Sequence, residues 1–316
     1  MQIVRIKFTD FWYGYNPLTN NFYKLLSKHY KIEISDKPDL LIYSCYGTEY
    51  IKYKCTRVFY TAENIRPDFT GCDFAISFDF NNQPNHYRLP LYALYFEQAA
   101  LLQHKSKETA LQNWRGKKNF CCMVVSNAAS AKRIEFFKKL SAYKQIDSGG
   151  TVLNNVGGPV KNKLDFIKDY RFVIAFENNS FDGYTTEKII EPLLAGCIPL
   201  YWGNPSIEKD FNPDCFLNLS AGKTEEDFIK EIIAIDSDEE KAVKILSAPA
   251  FTNNRVPSYI EEGNVIDFFT KIFYFSKHNK PVALTSRGRW HLYNIKRKYF
   301  FSFPVKVVKK ALSVFR

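Results

Sequence analysis

Apolar positions along this chain fall into short runs separated by amphipathic stretches. Gln2–Phe8 alternates apolar and polar residues, which predicts a strand. Asn20–His29 repeats its apolar residues at helical spacing, while Asp39–Ser44, Arg57–Thr61 and Phe74–Phe78 predict further strands. Ala93–Gln103 reads as a helix, and Lys105–Lys118, polar around Gly116, reads as a linker. A second series follows, with strands Phe120–Ser126, Tyr143–Asp147, Phe172–Phe176, Ile198–Trp202 and Cys215–Leu219. Between and after them lie helical patterns at Ala131–Ala142, Asn162–Asp169, beyond Tyr184, and at Tyr259–Ser276. Strands separated by helices imply βαβ units and parallel sheets. Two such series in 316 residues predict an α/β fold of two Rossmann-like domains facing a central cleft.

Composition refines this picture. Apolar residues make up 46% and charged residues 24%, a globular mix that excludes wholesale disorder. No run of about 18 apolar residues occurs, so no membrane-spanning helix is expected. The alternating N-terminus lacks the apolar core of a signal peptide, which predicts a cytoplasmic chain. The net charge of +11 is concentrated at one end: Arg287–Arg316 holds nine Lys and Arg and no acid, leaving the first 286 residues at +2. Aromatic and aliphatic residues from Trp290 to Phe315 interleave with these cations. That mixture suits an anionic lipid headgroup layer, so residues 281–316 are expected to associate with the inner face of a membrane. Nucleic acid is not expected, because no nucleic-acid fold accompanies the basic residues. The seven cysteines include no C-x-x-C pair, and Cys121 and Cys122 sit in an apolar run, which fits a reduced protein without structural zinc.

Common catalytic loops are missing: there is no G-x-G-x-x-G, Walker loop, G-x-S-x-G or H-E-x-x-H. Asp236-Ser237-Asp238 has the D-x-D form of a metal-binding pair, but it lies between two helical patterns and runs into Glu239-Glu240. A helix cap at Asp236 or Ser237 explains it without a metal. More informative is Arg171–Gly203, RFVIAFENNSFDGYTTEKIIEPLLAGCIPLYWG, where a strand, a polar loop and a helix beginning near Thr186 follow one another. A lysine in the first turn of a helix opposes the dipole, so Lys188 makes sense beside a strong anion such as a pyrophosphate. Glu187 could accept from a ribose diol. Read alone, the pair is better explained by a solvated lysine and a capping glutamate.

The run Y-T-T-E-K, with F-E-N before it and A-G-C-I-P-L-Y-W-G after it, resembles the signature of the bacterial α1,3/4-fucosyltransferases. Met123–Arg133 (MVVSNAASAKR) and Val58–Pro67 (VFYTAENIRP) are similar to two further segments of that family. The resemblance implies an inverting GT-B glycosyltransferase that moves L-fucose from GDP-β-L-fucose to N-acetylglucosamine of a surface glycan. It makes Glu63 the general base, puts Arg133 and Lys188 on the diphosphate and Glu187 on the ribose, has Tyr184 and Asn178 line the donor pocket, and places Ser126 against a phosphate. GDP-fucose is then a substrate, no cofactor is required, and a divalent metal is at most stimulatory. The partners implied are an oligosaccharide or lipid-linked glycan acceptor and, through the tail, an anionic membrane surface. Thr185 departs from the family, which more often has an aliphatic residue there, and Pro192 should shorten or kink the helix. The domains expected are an acceptor domain 1–115, a donor domain 116–280 and the tail 281–316. Phe11-Trp12-Tyr13-Gly14-Tyr15 should shape the acceptor site. Two alternatives remain open at this point: a GT-B enzyme using another nucleotide sugar, and a non-catalytic glycan-binding protein at the membrane surface.

Overall fold

The computed structural model describes residues 2–94, 101–102 and 105–298, and its contacts divide the chain into two compact units. The first begins with β1 (Ile3–Thr9), α1 (Asn21–Ser27), β2 (Lys31–Ile34), β3 (Leu40–Tyr43), β4 (Thr56–Tyr60), β5 (Phe74–Ser77) and β6 (His86–Arg88). These strands form one sheet in the order β2-β1-β3-β4-β5-β6, and every neighbouring pair is parallel. β3, β4 and β5 are buried along their whole length, which is why they read as continuous apolar runs rather than alternating ones. β2 and β6 were not expected. β2 is a four-residue edge strand with alternating burial, and β6 has only three residues, too few to carry a pattern.

The second unit contains α2 (Lys107–Gly116), β7 (Asn119–Met123), α3 (Ala131–Ser141), β8 (Ile146–Ser148) and α4 (Lys163–Ile167). It continues through β9 (Tyr170–Phe176), α5 (Ile190–Leu194), β10 (Ile198–Trp202), β11 (Leu217–Asn218), α6 (Glu225–Asp236) and α7 (Glu239–Ser247). Its sheet runs β11-β10-β9-β7-β8, again entirely parallel. Both units are therefore Rossmann-like.

Two local expectations change. Lys105–Lys118 is not a linker: Ser106 caps α2 by accepting from Thr109 N, and the helix buries Ala110 and Trp114, with Arg171 4.4 Å over the Trp114 ring. So few apolar positions hid the helix in a polar stretch. Asp238, rather than Asp236 or Ser237, caps α7 by accepting from Lys241 N at 3.1 Å. Asp236 ends α6, with its carboxylate paired to Arg171 and Lys144, each at 3.0 Å. The expected helix Ala93–Gln103 lies largely outside the described residues.

After residue 261 the chain returns to the first unit. α8 (Glu262–His278) buries Phe268 and Phe269 against rings of Phe74, Tyr87 and Phe22. A further helix, α9, covers residues 286–298. His291 on α9 is buried, with Nε2 2.7 Å from the Tyr50 hydroxyl and Nδ1 3.0 Å from Thr70 Oγ1. Gly71 leaves it room, since a Cβ there would sit 2.5 Å from Nε2. The unit boundaries near residues 88 and 261 thus differ from the expected 115 and 280. Long-range packing decides both, of α8 and α9 onto the first unit and of Ala110 and Trp114 into the core of the second, and no local pattern reports it. Part of the expected basic tail is a docked helix, and residues 299–316 lie outside the described part.

Candidate active site

In each sheet the strand order reverses once, between β1 and β3 in the first unit and between β7 and β9 in the second. Ligands of open parallel sheets bind outside the carboxyl ends of the strands at such reversals. In the second unit these ends lead into residues 124–130 after β7 and 177–189 after β9, and every expected donor residue except Arg133 falls in these loops. Arg133 follows closely, in the first turn of α3.

The centre of this region is a carboxylate to which the sequence reading gave no role. Glu177, immediately after β9, is fully buried. Its Oε1 accepts from Thr186 N at 2.7 Å, its Oε2 accepts from Thr186 Oγ1 at 2.7 Å, and Lys188 Nζ donates to Oε2 at 3.2 Å. Lys188 Nζ also donates to Thr186 Oγ1 at 2.9 Å, which among the described residues leaves one N–H for a ligand. Glu187 Oε1 stands 3.6 Å from the same ammonium. Burial works against the Lys188 charge, but Glu177 and Glu187 outweigh it and its pKa is raised. Glu187 shows the converse: burial opposes its charge, Lys188 together with backbone and Thr186 hydrogen bonds and Lys163 outweighs it, and its pKa is lowered. Both groups stay ionised and fixed. An acid at the end of a strand looks like a solvated loop residue in sequence, and only the T-E-K run nine residues on hints at its burial.

Lys188 does not occupy the first turn of a helix. Residues 187–189 form a turn, and α5 begins at Ile190 and has five residues. The dipole argument for Lys188 therefore falls, and the paired carboxylates replace it as the reason for its position. Pro192 sits at the third position of this helix, and the five-residue length accords with the shortening expected from a proline.

Arg133 is only 1% exposed. Its guanidinium donates to the Phe176 carbonyl through Nε (3.1 Å) and Nη2 (2.6 Å), and Nη2 also reaches Asn178 Oδ1 at 2.9 Å. Burial pulls its pKa below the ordinary value while Glu177 pulls the other way. Arg133 therefore holds the end of β9 and orients Asn178. Tyr184 is buried, its ring 5.2 Å from that of Phe78 in an edge contact, so it packs inside the unit. Ser126 is exposed and its carbonyl accepts from Thr151 Oγ1 at 3.2 Å.

In the first unit, the loops after β1, β3 and β4 bring aromatic residues to a carboxylate. Phe11 and Tyr15 stack with ring centres 3.8 Å apart, and Trp12 meets Tyr46 edge-on at 6.3 Å. The Tyr46 hydroxyl donates to Glu63 Oε1 at 2.6 Å. Glu63 is half-buried, its backbone N–H donating to Thr61 Oγ1 at 3.0 Å. Asp10, also absent from the sequence reading, fixes the next loop by accepting from the backbone of Glu49 and Tyr50, each at 2.8 Å. Gly47 is required beside it, since a Cβ would lie 2.2 Å from Asp10 Oδ1. Among the described residues no cluster of three or more metal-ligating side chains occurs.

Comparison with known proteins matches both units. Residues 6–95 match the alpha-(1,3)-fucosyltransferase FucT N-terminal domain, and residues 114–247 match the glycosyltransferase family 10 (fucosyltransferase) C-terminal domain. The chain belongs to glycosyltransferase family 10. It is 33% identical over 236 residues to the alpha-(1,3)-fucosyltransferase FucT of Helicobacter pylori, covering 62% of this chain and 49% of that one. The chain thus spans about half the length of that relative. It is 34% identical over 136 residues to the GDP-fucose protein O-fucosyltransferase 3 of Mus musculus, covering 39% of this chain and 28% of that one. A crystal structure of an α1,3-fucosyltransferase with GDP-fucose superposes with a TM-score of 0.74 at 25% identity, over 86% of this chain and 91% of the other. The family 10 member described here therefore has the GT-B architecture of two Rossmann-like domains, as expected from the resemblance.

Proposed function

We propose that this family 10 chain transfers L-fucose from GDP-β-L-fucose to a hydroxyl of N-acetylglucosamine in an N-acetyllactosamine-type surface glycan, forming an α1,3 linkage with inversion. The observation that carries the reading is the fixed Glu177–Thr186–Lys188–Glu187 array beside Arg133 and Asn178 at the reversal of the second sheet. A nucleoside diphosphate suits that array: Lys188 offers a point charge to the diphosphate, Arg133 adds field and aims Asn178, and Glu187 accepts from the ribose diol.

On this reading the acceptor oxygen attacks the anomeric carbon while the carbon–oxygen bond to the diphosphate breaks. The acceptor proton passes to Glu63, and GDP departs with its growing charge met by Lys188 and Arg133. Cations fixed before the reaction stabilise that charge more in the transition state than in the ground state. A divalent metal is then at most stimulatory, because the protein already supplies positive charge where the leaving group forms. The aromatic loop around Trp12 offers ring faces to the acceptor sugar.

The C-terminal segment is proposed to hold the protein at the inner face of the cytoplasmic membrane, near lipid-linked acceptors. Exposed Trp290 and Tyr293, with ring centres 5.7 Å apart, share α9 with exposed Arg289, Lys296 and Arg297, which supports a lipid-facing side. Deleting residues 287–316 should release the protein from anionic vesicles, and unchanged vesicle binding would remove this part.

The donor is tested by thermal shift with GDP against UDP, followed by NMR of the product made from GDP-fucose and N-acetyllactosamine. Stabilisation by GDP alone and a new α1,3-fucosyl linkage are expected. A larger shift with UDP would overturn the donor, and fucose at another position would overturn the linkage.

A further inference from the structure

Behind the donor loop lies a second buried polar cluster, separate from Glu177. Asp210, Asn204 and Thr185 are all buried in the second unit. Thr185 Oγ1 donates to Asp210 Oδ2 at 3.1 Å, and Asn204 Nδ2 donates to Thr185 Oγ1 at 3.0 Å and to Asp210 Oδ2 at 3.2 Å. Asn204 Oδ1 accepts from Gly183 N at 2.8 Å and from Ser206 N at 2.9 Å. The Asn204 backbone N–H donates to the Tyr201 hydroxyl at 3.0 Å. From the other side, the Tyr259 hydroxyl donates to Asp210 Oδ1 and meets the hydroxyl of Tyr92. Three stretches of chain therefore bond one carboxylate, a fourth backs it through Tyr259, and that carboxylate grips the loop between β9 and α5.

Successive residues of this loop are held on two sides. Asn204 takes the backbone of Gly183, Asp210 and Asn204 take the side chain of Thr185, and Glu177 takes the side chain and backbone of Thr186. Glu187 and Lys188 follow directly, so their direction is set by the anchors before them. A buried carboxylate left short of donors is costly, which gives the cluster one preferred arrangement. The hydroxyl of Thr185 supplies a link that an aliphatic residue at this position could not make.

We infer that Asp210, Asn204 and Thr185 are positioning residues of the donor site, which fix the loop so that Glu187 and Lys188 meet the ribose and diphosphate of a nucleoside diphosphate sugar. This rests on the proposed donor. The three residues touch no substrate; they act through the loop.

The test uses the full chain and three variants. Thr185→Val removes the hydroxyl at nearly constant shape, Thr185→Ser keeps it, and Asp210→Asn removes the charge. GDP affinity is measured by calorimetry below the melting range of the weakest variant, with steady-state constants for GDP-fucose and for acceptor. Thr185→Val and Asp210→Asn should weaken GDP binding and raise the donor KM by about tenfold, as displaced positioning groups do. The acceptor KM should stay put, and Thr185→Ser should restore both donor constants to within about twofold of wild type. Folded variants with wild-type GDP affinity and donor KM would overturn the inference. So would variants that only melt earlier while their folded fraction binds GDP normally, since the cluster would then be structural alone. Wild-type protein that fails to bind GDP would instead sink the donor reading, and this inference with it.

Discussion

The two units hold their candidate groups in opposite ways. In the second, the important charges are buried and bonded from several sides: Glu177 is fully enclosed, Arg133 is tied to the end of β9, and Lys188 is fixed between two carboxylates. In the first, Glu63 is half-buried beside Tyr46, which is 48% exposed, and Trp12 and Tyr13 lie on the separate loop after β1. A diphosphate brings concentrated charge and has one correct geometry, so a rigid, pre-paid array suits it. An acceptor glycan presents hydroxyls and apolar ring faces, which an aromatic surface on loops can meet with few fixed bonds. The comparison with relatives points the same way. A chain named for an α-(1,3) linkage and another named for protein O-fucosylation both match this one, so what they share need not specify an acceptor.

This contrast can be broken by substitution. The largest effect should follow Glu63→Gln, which removes the proposed base: turnover should fall by about 10²–10⁴ while GDP affinity holds. Calorimetry beside steady-state rates checks both halves, and weakened GDP binding would put Glu63 on the donor side. Lys188→Ala should cost about 10²–10³ in kcat and also weaken GDP, unlike Glu63→Gln. Its partner has a larger structural role. Glu177→Ala leaves Lys188 facing an emptied buried site and should destabilise the fold by about 3 kcal/mol, read from urea unfolding. A change within about 0.5 kcal/mol, the range of ordinary surface substitutions, would deny the clamp.

The smallest effect concerns the C-terminal helix. Burial, foremost, and Arg57 lower the His291 pKa below its ordinary 6.5, against the nearby Asp68 carboxylate. The folded state thus prefers the neutral imidazole between Tyr50 and Thr70. Its contribution is fully present above 6.5 and fades as pH falls through the lowered value. Melting curves of wild type and His291→Asn should therefore converge on acidification, and parallel curves would contradict this.

Much of this architecture could be read from the chain. Buried parallel strands announce themselves as apolar runs, and β3, β4, β9 and β10 all fall within about two residues of where the runs place them, while β7 ends three residues short of its run. Short edges such as β2 and β6 carry too few residues to show a period. α2 hid because it buries only Ala110 and Trp114. The donor loop was legible as a motif, but its physics was not. A lysine opposing a helix dipole suggested an anion, whereas the structure answers Lys188 with Glu177 and begins the helix at Ile190. Contacts such as Glu177 to Lys188, Asp210 to Thr185 and His291 to Tyr50 join residues that no periodicity connects. They depend on the assembled fold.

The most direct test of the whole account is GDP release from GDP-fucose by the purified wild-type chain, followed with and without N-acetyllactosamine. The account predicts release that depends on the acceptor and matches fucosylated product mole for mole. Release at the same rate without acceptor, or GDP binding with no release under either condition, would contradict it.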